Sequence, residues 1–546
     1  MHPLVVVAER RAGGLLAKTR DGEVNMDESM GMSRSMSMGM RARWLLPLAA
    51  AASAGMAACA PAQPGEGQGD EGTQWSVSGA VVAAEAAYLV SFTTDAIPGN
   101  AEALVRAAGG SIAARYASAG ALLARSSDAG FAARLRATAG IQAVGAARTV
   151  HSRIALPTAS RLRGSARDRE AAPRAGGDPL SPQQWDMDQI RAPQAHAVSL
   201  GKRSVLVGVL DSGIDASHPD LVGQVDEAAS VSCVGGVPNP ARSIWSNDVI
   251  GHGTHVAGII AAARNGVGIV GVAPGVRLAA VKVAIDDLSD PNAGQVFADA
   301  VVCGIDWAVA HGFDLMNTSL TIDPTDPPDD DIFCTANPDR AAVIAIVRAA
   351  VQRAARRDIT LISASGNNFL NLAALGDGCR VLPVQTPRAI GVSAVGPTRK
   401  LSFYSDYGLG AVDLTAPGGD QLVVANPFGQ VISSMPETSL FYQAAAAWNG
   451  QVQDCSSGTC AFYAYIQGTS MAAPHVTGVA ALAISRFGKL SPEALLVILG
   501  LTARPLTCPV GAYDPGMTGL PATCVGPPRF NSFYGFGEVD ALSVVK

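Results

Sequence analysis

The sequence contains no Cys-x-x-Cys pair, and none of its eight histidines clusters with its nine cysteines, so the ligand spacings of a structural zinc site are missing. Aromatic side chains are scarce at 5%, yet hydrophobic residues fill 48% of the 546 positions. The chain therefore has ample material for an aliphatic core and is too long for one small domain. The one conspicuous apolar run near the start, Trp44 to Ala58, is too short for a membrane span. Residues 1–39 lack any hydrophobic period and are rich in Met, Ser and Gly, which reads as a disordered segment or a misassigned start, with translation beginning at Met36, Met38 or Met40.

What is present begins with an export signal over 40–59. Arg41 and Arg43 form a positive region, Trp44 to Ala58 the apolar stretch, and Met56-Ala57-Ala58-Cys59 a small-residue cleavage site. That tetrapeptide is similar to a bacterial lipobox, which implies lipid on Cys59, although Met56 stands where such a box usually has leucine. The alternative is cleavage near Ala58 or Ala60 and a free secreted protein. Setting Cys59 aside leaves eight cysteines, enough for up to four disulfides in an exported chain. Cys455 with Cys460 and Cys508 with Cys524 are the expected local pairs; Cys233, Cys303, Cys334 and Cys379 stay unassigned.

Residues 60–85, rich in Gly, Pro and acids, read as a linker. The stretch 86–148 alternates strand, helix, strand, strand, helix, strand, the order of a small ferredoxin-like α+β unit, and carries no convincing catalytic set. The Arg- and Ala-rich segment 149–177 reads as an exposed, cleavable linker. Residues 88–177 carry a net charge of +7 and residues 178–546 one of −11, so the two parts should attract. An acidic partner on the same chain and an export signal argue against nucleic acid as the ligand of the basic part. From 178 onward, nearly continuous apolar strands alternate with helical stretches, which predicts a doubly wound, mostly parallel sheet covered by helices on both faces. Sites in such sheets form at the carboxyl ends of strands.

The informative polar residues fall there. VLVGVL at 205–210 runs into Asp211; His252 precedes an apolar helix within GHGTHVAG; and Ser470 lies in GTSMAAPH between a strand ending near Ile466 and an Ala-rich helix. A serine at a helix mouth has unpaired amide donors beside it, which would stabilise an oxyanion. Alone, Gly-Thr-Ser before a helix is also an ordinary N-cap. An acid, an imidazole and a hydroxyl converging on one sheet are what nucleophilic acyl transfer requires.

These motifs, with SASGNN at 363–368, LTAPGG at 414–419 and YGFGEVDA at 534–541, resemble the subtilisin-like serine proteases over residues 180–546. The resemblance implies Asp211, His252 and Ser470 as the triad and Asn367 as the side-chain oxyanion donor, against the plain reading of Asn367 as a turn residue. It implies that Ser319 and Leu320 pair with extended substrate and that Ala364 and Gly366 line the primary specificity pocket. Thr321 stands where most relatives have glycine, which should narrow that pocket toward small or medium apolar residues. The unit at 86–148 resembles the family's inhibitor and chaperone propeptide.

His255, His475 and His218 read as packed framework. No cofactor is implied for catalysis. Asp220 matches a calcium ligand of many relatives and Asn265 lies in a loop of matching length, so a structural Ca2+ is the expectation there and surface polarity the alternative. The implied function is an exported, self-processing serine endopeptidase acting on protein or peptide substrates, with its own propeptide as inhibitor. A catalytically silent, membrane-tethered binding protein and a dedicated processing protease with one substrate are the competing readings.

Overall fold

The structure, a computed structural model, describes residues 85–147, 151–155, 178–286, 293–321, 337–375, 380–424, 427–516, 519 and 521–546, with the dipeptides 10–11 and 14–15, which pair antiparallel. The export signal, Cys59, the linker before residue 85, most of 149–177 and the acidic run 323–331 lie outside the described residues.

The small unit follows the expected order: β1 (Ala86–Phe92), α1 (Ala101–Ala107), β2 (Ser111–Tyr116), β3 (Ala121–Ser126), α2 (Phe131–Arg136) and β4 (Ile141–Ala146). Its four strands lie in the order β2-β3-β1-β4, all neighbours antiparallel, which is the ferredoxin-like arrangement. Period-two alternation splits the strands between two cores. Val90, Phe92, Leu122, Ala124 and Val144 meet Phe131 and Leu135 of the unit's own helix, while Leu89, Tyr116 and Leu123 join the core of the large unit. Next comes β5 (His151–Ala155).

The large unit contains β6 (Leu206–Asp211), β7 (Val231–Ser232), α3 (His252–Ala261), β8 (Arg277–Lys282), β9 (Ala284–Asp286), β10 (Ala293–Phe297), α4 (Ala298–Ala310), β11 (Leu315–Thr318), α5 (Pro338–Ala355), β12 (Thr360–Ala364), β13 (Ile390–Val395), β14 (Leu414–Pro417), β15 (Val431–Ser434), β16 (Gln451–Asp454), β17 (Ala461–Ile466) and α6 (Thr469–Phe487). Seven strands form the main sheet in the order β14-β13-β12-β11-β6-β8-β7, every pair parallel. Strands β6 and β11 to β14 are buried along their whole length, as a sheet with helices on both faces requires. Helices α3 and α6 pack together, as do α4 and α5. Small residues let α6 sink in: a Cβ on Gly478 would lie 2.5 Å from the Val272 side chain.

Val296 and Phe297, the apolar residues just before α4, end β10. They pair because the hairpin β9–β10 sits at the carboxyl end of β8 and takes β5 as its third strand, antiparallel, with Ser152 opposite Val296 and Ile154 opposite Gly294. A further antiparallel sheet, β15-β17-β16, leads into α6.

The small unit rests on α4 and α5. The Asp306 carboxylate on α4 accepts the Ser118 and Ala119 amides at 2.6 and 3.0 Å, and Tyr116 donates to the Gly236 carbonyl at 2.6 Å. On α5, Arg353 donates to the Ala119 carbonyl and Asp339 pairs with Arg136. Disulfides join Cys233 to Cys303, and Cys455 to Cys460 and Cys508 to Cys524 as expected; Cys334 and Cys379 are outside the described residues. Among the described residues, no helix is long and apolar enough to cross a membrane.

Candidate active site

Parallel pairing puts the ends of β6, β11 and β12 side by side, and the site grows from these ends. Asp211 closes β6 and is fully buried. Its Oδ1 accepts from the Ser212 amide at 2.7 Å and lies 2.7 Å from Nδ1 of His252, the first residue of α3. Close approach makes this possible: a Cβ on Gly253 would stand 2.1 Å from the Gly213 carbonyl oxygen. Burial alone would depress the His252 pKa, but the charge and hydrogen bond of Asp211, with the charge of Asp248, hold it above the ordinary imidazole value of 6.5. The Phe441 ring meets the imidazole edge-on at 5.7 Å.

Ser470 is the second residue of α6 and half-buried, so its amide is among the first-turn donors that the helix itself leaves unpaired. Its hydroxyl donates to the Ser319 carbonyl at 2.9 Å, and the Ser319 hydroxyl returns a bond to the Ser470 carbonyl at 2.7 Å. The start of α6 and the end of β11 are thus tied together. Asn367 is anchored through its oxygen, which accepts from the Thr469 amide at 2.9 Å and the Thr469 hydroxyl at 3.0 Å. That engagement leaves the exposed Nδ2 end as a donor beside the helix mouth. Leu320 and Ala364 are buried close by at the ends of their strands, and Gly366 is obligatory: its φ is +118° and a Cβ would lie 2.1 Å from the Asp406 carboxylate.

The other histidines are framework. His255 bonds the Ala464 carbonyl at 3.0 Å and burial pulls its pKa to about 3; His475 bridges the Met471 carbonyl and Asp186; His218 bonds the Phe462 carbonyl at 2.9 Å. Sequence reasoning missed Ser212, Asp248, Thr254 and Thr469, which hydrogen-bond around Asp211, His252 and Asn367. Their signal was proximity to the motifs and nothing more.

The calcium expectation at Asp220 and Asn265 is not met by the residues present. Asp220 Oδ2 accepts from the Ile269 amide and the Tyr463 hydroxyl at 3.2 and 3.0 Å. The Asn265 oxygen is spent on the Val267 amide and its nitrogen on the Pro219 carbonyl. Asp178 takes the Asn265 and Gly266 amides, and Asp454 the Gly268 amide. Among these side-chain oxygens, only Asp220 Oδ1 lacks a hydrogen-bond partner; the others are already engaged by protein donors. Among the described residues, no group of three His, Cys, Asp or Glu side chains is set to hold a metal ion. Burial instead pushes the Asp220 carboxyl up to about 7.

The model of the subtilase family (Peptidase S8) matches residues 202–537. Fervidolysin of Fervidobacterium pennivorans is 31% identical over 331 residues, which is 60% of this chain and 41% of that protein. Subtilisin Savinase of Lederbergia lenta is 32% identical over 298 residues, 55% of this chain and 82% of that one. In fold, the crystal structure of fervidolysin, titled a keratinolytic enzyme related to subtilisin, matches with a TM-score of 0.57 at 23% identity over 84% of this chain and 61% of that chain. The epidermin leader peptide processing serine protease of Staphylococcus aureus also matches at 0.57, with 18% identity over 84% and 98%. The chain thus spans less than half the length of fervidolysin. With a family model covering more than half of its residues and a site assembled from that family's motifs, the chain belongs to the subtilase family.

Proposed function

We propose that the protein is a serine endopeptidase, exported and made as a self-processing precursor. The observation that carries this reading is the 2.7 Å contact between Asp211 and His252 at the strand ends where Ser470 opens a helix beside Asn367. In the proposed cycle the Ser470 hydroxyl turns from the Ser319 carbonyl, gives its proton to Nε2 of His252 and attacks the peptide carbonyl. The Ser470 amide and Asn367 Nδ2 take the oxyanion. His252 then protonates the leaving amine, and water repeats the sequence on the acyl-enzyme. No cofactor takes part.

Self-processing draws support from β5. Residues 151–155 lie as an extended strand on β10, a main-chain pairing of the kind that holds peptides on sheet edges. The strand that carries them lies near α3: a Cβ on Gly294, opposite Ile154, would stand 2.4 Å from the side chain of Ile250, two residues before His252. The first cut is read as falling in the part of the 149–177 linker that follows Ala155, and the unit at 86–148, seated on α4 and α5, is read as the intramolecular inhibitor. The segment 40–59 is read as the export signal, with Cys59 the one route to a membrane tether.

The test is expression of the full chain with and without Ser470→Ala. Wild type should release a fragment ending in the linker after Ala155 and label with a fluorophosphonate probe. The variant should accumulate uncut and unlabelled. A Ser470→Ala chain that still processes in a protease-free system rules out self-cleavage, and a mature wild type that never labels rules out the enzyme.

A further inference from the structure

Behind the Asp211–His252 pair lies a second carboxylate that the triad does not include. Asp248 is 5% exposed, and both of its oxygens are filled. Oδ1 accepts from the Ser212 hydroxyl at 2.7 Å and the Gly251 amide at 2.9 Å. Oδ2 accepts from the Thr254 amide at 2.9 Å and the Thr254 hydroxyl at 2.6 Å. Ser212 is the residue after Asp211; Gly251 and Thr254 flank His252. The two hydroxyls extend the grip in both directions, since Ser212 Oγ accepts the Gly253 amide and Thr254 Oγ1 the Asp215 amide, both at 2.9 Å.

A carboxylate serving only as a helix cap would bond the first-turn amides of α3 and stop there. This one also holds the turn that follows β6, so a displacement of either catalytic side chain strains the same group. We propose that Asp248 is the positioning residue of the Asp211–His252 pair, locking the two backbones together while its negative charge favours the imidazolium that forms during turnover. This rests on the catalytic reading of Asp211, His252 and Ser470.

The charged and titratable groups around His252 are Asp211 at the end of β6, Asp248, and His255 on α3, with Lys282 of β8 facing Asp248. Burial, the largest cause, raises the Asp248 pKa above the ordinary carboxylate value, and the Thr254 bonds, the Lys282 charge, Ser212 and Gly251 limit that rise. Asp211 touches the imidazole and Asp248 does not, so Asp248 acts through geometry and through space. Its loss should move the titration of His252 without abolishing it.

The experiment measures the rate of Ser470 labelling by a fluorophosphonate probe against pH, for proteins expressed as the full chain and allowed to mature. In Asp248→Asn the amide cannot accept on both sides. Labelling is expected to slow about tenfold or more, with its acid limb displaced by about half a pH unit or more toward lower pH, because a negative charge near the imidazolium is gone. Ser212→Ala and Thr254→Val should slow labelling without moving the acid limb. A wild-type rate and acid limb in Asp248→Asn overturns the proposal, and so does a lowered melting temperature with labelling unchanged, which is the behaviour of a plain cap. If Asp248→Asn does not mature, wild-type labelling rates in both Ser212→Ala and Thr254→Val overturn it instead. Failure of the wild type to label would sink the catalytic reading itself, a separate result.

Discussion

Asn367 shows how a single side chain is aimed. A free amide presents either end to a ligand, but here Thr469 supplies two donors to Oδ1, so the donor end faces outward. Replacing Asn367 with alanine is expected to lower kcat by about 10²–10³ with KM nearly unchanged, the loss that removing the corresponding donor causes in subtilisin. Thr469→Val, which removes one of the two anchors, should cost less, about tenfold in kcat. A raised KM with kcat intact would show that Asn367 binds substrate and leaves the transition state alone. His252 gives a second expectation. Its pKa is raised, so the acid limb of kcat/KM should lie above 6.5. The same shift contributes stability that is fully present below the unfolded-state value and is lost as pH rises through the folded one. Activity, which needs the neutral base, therefore grows over the window in which this contribution fades. A pH–rate profile whose acid limb falls below 6 would contradict it. The positions of Asp211, His252, Ser470 and Asn367 at or just past strand and helix ends were legible in the sequence because each sits inside an uninterrupted motif. Asp248 and Ser212 were not, because a loop aspartate and a loop serine gain their role only when β6 and α3 are brought together.

At the scale of elements, the loop at 264–269 is the place where sequence and structure part. Asp220 and the loop length were legible and pointed to calcium. Tyr463, which reaches Asp220 from 243 residues away on β17, and Asp178 and Asp454, which take the loop amides, could not be seen from local pattern. The loop is tied down by hydrogen bonds to three carboxylates, which already serve protein donors. A chelator such as EGTA is expected to leave the melting temperature of the protein within about 1 °C of its untreated value, and added Ca2+ should not raise it; a rise of several degrees would restore the calcium site. The loop should respond to protons instead. Asp220 has a folded-state pKa of about 7, above its unfolded value, so the native state binds more protons between about pH 4 and 7 and stability falls as pH rises through that window. Asp220→Asn should remove this slope, measurable as Tm against pH.

For the whole molecule, the strand order of the small unit and its basic charge were legible, and they suggested attraction between a positive and a negative body. The contacts on α4 and α5 are of another kind. Asp306 spends its charge on two backbone amides, and Arg353 on a backbone carbonyl, so the bonds depend on shape and direction more than on net charge. Among the described residues, one ion pair runs in the expected sense, Arg136 with Asp339, and one in the reverse, Asp95 with Arg353. Two outcomes follow for inhibition of the mature enzyme by residues 86–155 added in trans. Asp306→Ala strands the amides of half-buried Ser118 and buried Ala119, at about 1–3 kcal/mol, and should weaken inhibition by about 5- to 100-fold. Raising the salt from about 0.05 to 0.5 M shortens the screening length severalfold yet should weaken inhibition by less than about tenfold, because these bonds are short and partly buried. A net-charge mechanism predicts the opposite ranking, with salt abolishing inhibition and Asp306→Ala, one carboxylate among many, barely noticed. Inhibition constants for wild type and Asp306→Ala at the two salt concentrations decide between directed bonding and bulk attraction.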